Sequence, residues 1–290
     1  MLGLVTHPAY DIPLPDGHRF PATKFSRLME ILTRDGVLDG FAQHYPEPAA
    51  RGDLAAVHCP DYIGAVAAGA LSADALRVLG LKWSDVLRDR SFLAPNGTLA
   101  TARLALAGGL ACHAAGGTHH AHYDYGAGYC VFNDLAYAAR RLVDEGAVGS
   151  VLILDCDVHQ GDGTARILQT YDEIFTCSVH CGKNYPARKA ASDLDVEIER
   201  GNGDAAYLAT LSDTLDRLTV LCPNPDLVLY DAGVDVHSDD RLGLLDLSYD
   251  GIRARDTMVL RHFRGRDVPV ATVIGGGYGT DLDEVAFRHS

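Results

Sequence analysis

The sequence predicts an α/β protein: a single domain of three layers, α/β/α, around a mainly parallel sheet. Two observations predict it. Between residues 134 and 274, short apolar runs of strand length alternate with longer segments of helical periodicity, the order that a parallel sheet covered on both faces requires. Clusters of Gly, His, Asp and Tyr flank these runs from residue 116 to residue 279, and a site assembled from several strand ends needs all of them in one sheet. A chain of 290 residues is long enough for two domains, but that convergence favours one, spanning residues 1–290.

The first strand is expected at Leu2 to Thr6, followed by a Pro- and Gly-rich loop through His7, Pro13, Pro15 and Pro21. Phe25, Leu28, Met29, Ile31 and Leu32 form an apolar stripe that makes Lys24 to Asp35 a helix, with Gly36 as its stop. Leu54 to His58 reads as a short strand, and residues 61–93 as short helical pieces punctuated by Gly64, Gly69 and Gly80. An Ala- and Leu-rich stretch predicts one buried helix from an N-cap at Thr98 to Ala115, ending at Gly116-Gly117. Asp134 to Glu145, stopped by Gly146, is the next helix, and Ser150 to Asp155 the strand after it. The alternation continues as helix 164–171, strand 174–179, helix 204–221, strand 226–231, helix 249–263 and strand 269–274. No internal repeat, low-complexity tract or linker interrupts it.

The formal net charge is −14, so the bulk field repels nucleic acid and anionic membranes and tolerates a basic partner such as a lysine-rich protein or a polyamine. Seven cysteines occur without CxxC pairs, and Cys156 and Cys177 fall in or beside apolar runs, the usage of a reducing compartment. No charged segment followed by an apolar one opens the chain, and no apolar run approaches the roughly 18 residues of a membrane span. A cytoplasmic protein is expected.

The chemistry concentrates where Val151-Leu152-Ile153-Leu154 delivers Asp155-Cys156-Asp157-Val158-His159-Gln160-Gly161-Asp162-Gly163. Side chains alternate across a strand, so Asp155, Asp157 and His159 share one face at its carboxyl end, where open α/β sheets bind ligands. Two carboxylates and an imidazole there suit a metal. Asp157, His159 and Asp235, the last from Asp231-Ala232-Gly233-Val234-Asp235, leave one coordination position open, as in a catalytic zinc site that activates water near neutral pH. The same Asp-x-Asp also serves as a structural hydrogen-bond or cation site.

His119 and His120, in Gly116-Gly117-Thr118-His119-His120-Ala121-His122, need carboxylates to fix their tautomers, and Asp155 and Asp162 are free to serve. A pair of histidines is otherwise a polar loop, and His122 reads as a solvated loop residue. Tyr278 follows Gly275-Gly276-Gly277, which lets backbone and phenol approach a substrate closely.

These four clusters, in this order, resemble the histone deacetylase family over nearly the whole chain. Asp124, Gly128, Tyr129, Cys130, Asn133 and Asp134 extend the match. His18-Arg19-Phe20-Pro21 with Lys24, the stretch Asp157 to Thr164, Lys183-Asn184-Tyr185-Pro186 and Asp239 with Arg241-Leu242-Gly243 look most like its class IV and bacterial branch. The resemblance implies an arginase/deacetylase-like fold and hydrolysis of an N-acyl-lysine amide. It pairs His119 with Asp155 and His120 with Asp162, makes His120 the general base and acid, and gives Tyr278 the developing oxyanion.

It also places Gly128, Tyr129, Tyr185 and Leu242 at an acyl tunnel, with Tyr129 standing where the family generally has phenylalanine. Asp155, Asp157, His159, Ser178 and Val179 match a monovalent-cation site that would take K+. Zn2+ is the first choice at the divalent site and Fe2+ the second.

The expected partner is an acylated lysine in a protein or peptide, or an acetylated small amine. An acetylpolyamine hydrolase is the main alternative, for which Asp239 and Asp240 would be the acidic rim. A two-metal ureohydrolase would need a carboxylate where Gly161 stands. A silent acyl-lysine-binding module would have lost a ligand, the histidine pair or the tyrosine, and none is lost.

Overall fold

Val151 to Asp155 is buried at every position, on both faces, and so is Leu227 to Asp231 beside it. Such runs carry no in–out alternation, because helices cover both sides of the sheet they belong to. The computed structural model describes residues 1–15 and 17–290.

In chain order the strands are β1 (Leu2–Val5), β2 (Phe41–His44), β3 (Leu110–His113), β4 (Val151–Asp155), β5 (Ile174–Cys181), β6 (Leu194–Ile198), β7 (Leu227–Asp231) and β8 (Val270–Val273). They form one eight-stranded sheet in the order β2-β1-β3-β8-β7-β4-β5-β6. Every pairing is parallel, so all the strands deliver their carboxyl ends to one edge. The register there sets Asp155 beside both Ser178 and Asp231, and Asp231 beside Val273.

The main helices are α1 (Lys24–Arg34), α2 (Arg51–Leu54), α3 (Pro60–Ala68), α4 (Ala73–Leu79), α5 (Asp85–Gly108), α6 (Asp134–Asp144), α7 (Asp162–Leu168), α8 (Asp204–Leu221), α9 (Tyr249–Arg264) and α10 (Leu282–His289). Ile153 and Leu229 join one core with Leu99, Leu135 and Tyr137 of α5 and α6. Their neighbours Leu152, Leu154, Val228 and Tyr230 point the other way and pack with Tyr207, Leu211, Ile252 and Val259 of α8 and α9. These two cores make the three predicted layers. Among the described residues no single helix is long and apolar enough to cross a membrane, and the seven cysteines are all free thiols.

Two expectations are corrected. Leu54 to His58 is not a strand: Leu54 ends α2, and the amides of Ala55 and His58 bond back to Arg51 and Leu54 in helical fashion. Thr98 is not an N-cap. It lies inside the 24-residue α5, which Ser84 caps by accepting from the Leu87 amide.

The chain then turns at Gly109, with φ of +86°, into β3, which the sequence reading had absorbed into the helix. Leu110 and Ala111 are good helix formers and continue the Ala- and Leu-rich run, but β1 and β8 on either side offer residues 110–113 sheet pairing, and the tertiary contact wins. β2, β6 and α10 were not anticipated. β2 and β6 are the edge strands, short of continuous apolar sequence: β2 has no buried residue, and β6 alternates buried Leu194, Val196 and Ile198 with acids.

Candidate active site

Four loops meet at the carboxyl edge of the sheet. Asp157 and His159 follow β4, Asp235 follows β7, and all three are buried. His159 Nδ1 lies 3.0 Å from Asp157 Oδ1 and 3.1 Å from Asp235 Oδ2. One imidazole hydrogen cannot serve both oxygens, and Asp235 Oδ2 receives no properly directed hydrogen bond.

Backbone amides fix the orientation of both carboxylates. Val158 donates to Asp235 Oδ1 (2.8 Å), His159 to Asp157 Oδ1 (3.0 Å) and Gly276 to Asp157 Oδ2 (2.7 Å). Burial opposes a positive charge on His159, yet the Asp157 and Asp235 carboxylates beside it carry its pKa up to about 10. The three ligating atoms lie within 4.8 Å of one another. Donor types, spacing and an unsatisfied buried oxygen therefore fit a divalent cation.

The histidine pair sits above this group on the loop after β3. His119 Nδ1 is 2.8 Å from Asp155 Oδ2, and His120 Nδ1 is 2.6 Å from Asp162 Oδ1. Their environments separate them. Burial and the neighbouring His119 push the His120 pKa down to about 3, whereas Asp155 and Asp157 overcome burial and hold His119 well above the ordinary range. One imidazole is thus kept neutral beside one kept charged.

His119, Asp155 and Asp231 form a second cluster with metal-like spacing, but His119 Nδ1 is already committed to Asp155. Asp231 lies beside Asp155 across the strands, neither of its oxygens has a partner, and burial and Asp155 push its pKa well up.

The loop bearing the histidines is tied down from behind. Asp134 accepts from the amides of Gly117 (3.1 Å) and Thr118 (2.7 Å) and from the Thr98 hydroxyl (2.5 Å). Thr98 in turn bonds His113 Nδ1, and Tyr10 donates to His113 Nε2. Arg255, fully buried on α9, donates to the carbonyls of Gly233 (2.6 Å), Ala232 (3.2 Å) and Cys156 (3.2 Å), joining the β4 and β7 loops. Sequence reasoning missed this chain and Arg255, because nothing in a helix pattern marks a residue that reaches backbone carbonyls.

A cleft of ≈ 310 Å³ opens onto the group, lined by Gly128, Tyr129, Tyr185, Leu242, Tyr278, His120 and His159, with Arg19 and Asn184 among its other walls. The His120 and Tyr185 rings are 4.8 Å apart and nearly perpendicular. Gly128 is left-handed at φ +52°, and a Cβ there would lie 2.5 Å from the His120 ring. Tyr129 is itself left-handed, φ +70°, an uncommon conformation for a bulky residue. Burial raises the Tyr278 phenol well above its usual pKa, so it stays a hydrogen-bond donor. Ser178 and Val179 are buried on β5 beside Asp155, with Ser178 Oγ bonded to His180 Nδ1 (3.0 Å).

Two further expectations are corrected. His122 is buried, not solvated: its Nε2 lies 3.1 Å from Asp162 Oδ2. Asp240 is no rim charge, because its carboxylate is turned under the loop to accept from the amides of Leu242 (2.8 Å), Gly243 (2.9 Å) and Tyr278 (2.6 Å). Asp239 is exposed and lies outside the cleft lining.

The histone deacetylase domain matches residues 18–289. The chain belongs to the histone deacetylase family. It is 45% identical over 287 residues to an uncharacterised protein of Picosynechococcus sp., covering 99% of this chain and 95% of that one. It is 31% identical to histone deacetylase 2 of Arabidopsis thaliana, covering 90% and 70%. The crystal structure of an acetylpolyamine aminohydrolase from Burkholderia pseudomallei superposes with a TM-score of 0.80 at 22% identity, covering 100% of this chain and 97% of that one, a likeness of fold. The arginase/deacetylase-like fold expected from the sequence is therefore the one the chain adopts.

Proposed function

We propose that this deacetylase-family chain, residues 1–290 acting as one catalytic domain, hydrolyses the amide of an acylated lysine in a protein or peptide, releasing the acid and the free amine. The observation that carries it is the cleft floor, where His120, His159 and Tyr278 face one space. Asp157, His159 and Asp235 would hold the divalent ion, Zn2+ by first choice and Fe2+ by second, and when bound it would supply Lewis-acid polarisation of the acyl carbonyl and a more acidic water.

The chain's own residues do the rest. Asp162 accepts the Nδ1 hydrogen of His120 and so leaves Nε2 as the acceptor, the tautomer a general base needs. His120 takes the proton of the attacking water at Nε2 and returns it to the departing nitrogen. His119, charged through Asp155, offsets the negative charge that builds on the carbonyl. Tyr278 donates its O–H to that oxygen. Tyr129, Tyr185, Gly128 and Leu242 wall the alkyl chain and exclude water. K+ is assigned to the site of Asp155, Asp157, His159, Ser178 and Val179, and seven free thiols accord with a cytoplasmic location.

A protein substrate is favoured over a polyamine by charge. Among the described residues lining the cleft there is no carboxylate, and Arg19 is cationic. A distal ammonium would find no partner there. The test is a rate comparison of acetyl-lysine peptide, long-chain acyl-lysine peptide and acetylpolyamine, with metal assayed on the same preparation. The acetyl-lysine peptide should be turned over and the polyamine be the poorer substrate. Metal-loaded protein that hydrolyses none of the three would overturn the reading.

A further inference from the structure

We propose that His122 is a positioning residue for His120, acting through Asp162. One carboxylate is shared by two imidazoles: Oδ1 lies 2.6 Å from His120 Nδ1 and Oδ2 lies 3.1 Å from His122 Nε2. A carboxylate is acceptor-only when ionised, so both nitrogens are donors and both histidines have fixed tautomers. The two imidazoles bond opposite oxygens, so rotation of the carboxyl group would break both bonds together. The inference rests on the assignment of His120 as general base and deepens it.

The clamp is itself held rigid. The His122 amide donates to Tyr125 O (2.9 Å), and the His122 carbonyl accepts from His58 Nδ1 (2.9 Å). The ring stacks on Tyr125 at 4.4 Å and 16°. Backbone and ring plane are therefore both fixed before Asp162 is reached.

Asp162 needs such a hold. It opens α7 in a first turn that has no side-chain cap, where an acidic group is drawn back towards free helix amides. The bond from His122 keeps Oδ1 turned to His120. Hydrogen bonds from the two histidines outweigh burial and keep Asp162 well below the usual carboxylate range, so the acceptor stays ionised.

His122→Phe retains a ring to stack on Tyr125 and removes the donor, and His122→Gln restores an N–H at similar reach. With acetyl-lysine peptide, the Phe variant should lose about 10-fold in kcat or more, with KM within about 2-fold, the scale for a lost orienting partner. The Gln variant should recover most of that loss. The downfield imidazole N–H proton of His120 should broaden in His122→Phe and sharpen again in His122→Gln.

Parental kcat in the Phe variant would overturn the proposal, and so would equal losses in both variants, which would mean packing alone. If the Phe variant does not fold, the 15N imidazole spectrum of the parent decides: the proposal requires His122 protonated at Nε2, and a bare Nε2 refutes it. A parent without deacylase activity would sink the functional reading, while the N–H signals would still decide the clamp.

Discussion

The ring of Tyr278 stands 6.2 Å from the imidazole of His159, centroid to centroid, and at 81° to it. The phenol is thus a neighbour of the cation group without belonging to it. Tyr278→Phe should keep metal and fold while lowering kcat/KM about 10²-fold or more, the scale of one lost oxyanion donor. Steady-state rates beside metal analysis check this, and a variant near the parent rate removes Tyr278 from the mechanism.

Asp157 and Asp235 carry the opposite expectation. Their oxygens are aimed by backbone amides. Asp157→Ala and Asp235→Ala should each lose bound metal and activity together, since an open site with two protein ligands holds a divalent ion poorly. Stoichiometric metal in either variant would move the site elsewhere.

The histidine pair separates by role. His120→Ala should leave the metal in place and cut amide hydrolysis at least about 10²-fold, the low end for general acid–base catalysis. His119→Ala should cost less. The reverse order, read from the two rates, exchanges their roles.

Asp240 should act through Tyr278 and not through charge at the mouth. Asp240→Ala removes the acceptor of three amides, among them that of Tyr278, and should impair acetyl-lysine peptide and acetylpolyamine alike. Asp239→Asn should change neither. A selective loss on the polyamine in either variant would restore the acidic-rim idea.

His58 predicts how stability responds to acid. The Asn133 amide donates into His58 Nε2 and His58 Nδ1 faces His122 O, so the ring is held neutral, and burial lowers its pKa to about 4. An unfolded histidine titrates near 6.5, so between these values the unfolded chain takes up a proton that the folded chain refuses. Stability from this group is therefore complete above about pH 6.5 and lost as pH falls towards 4, by about 3 kcal/mol in all. Denaturant unfolding at several pH values should show that acid limb in the parent and a shallower one, by about one proton, in His58→Gln.

The central strands and the residues at their ends were legible in the sequence because β4 and β7 are continuous apolar runs that end in acids. β3 was not legible, since Leu110 and Ala111 continue the helical Ala- and Leu-rich run and become strand only between β1 and β8. At the site, alternation brought Asp155, Asp157 and His159 to one edge, but β4 ends at Asp155, and the fold groups Asp155 with His119 and Asp231 while Asp157 and His159 join Asp235 in the loop beyond. Alternation could not tell that Asp240 turns inward or that His122 reaches Asp162, because both depend on loop geometry that has no period. Asp231 lay within a motif already noticed, yet only the register beside Asp155 reveals two carboxyl groups on one face.

Arg255 gives the two loops that supply Asp157, His159 and Asp235 a common anchorage in α9, a helix that adds no side chain to the group proposed to hold the cation. Whatever loosens that helix slackens both loops at once. Release of the ion and melting of the domain should consequently be a single cooperative event, and the heat stability of the holoprotein should depend on free metal concentration by mass action. A chelator would then report on the integrity of a helix that contributes nothing to the lining of the cleft.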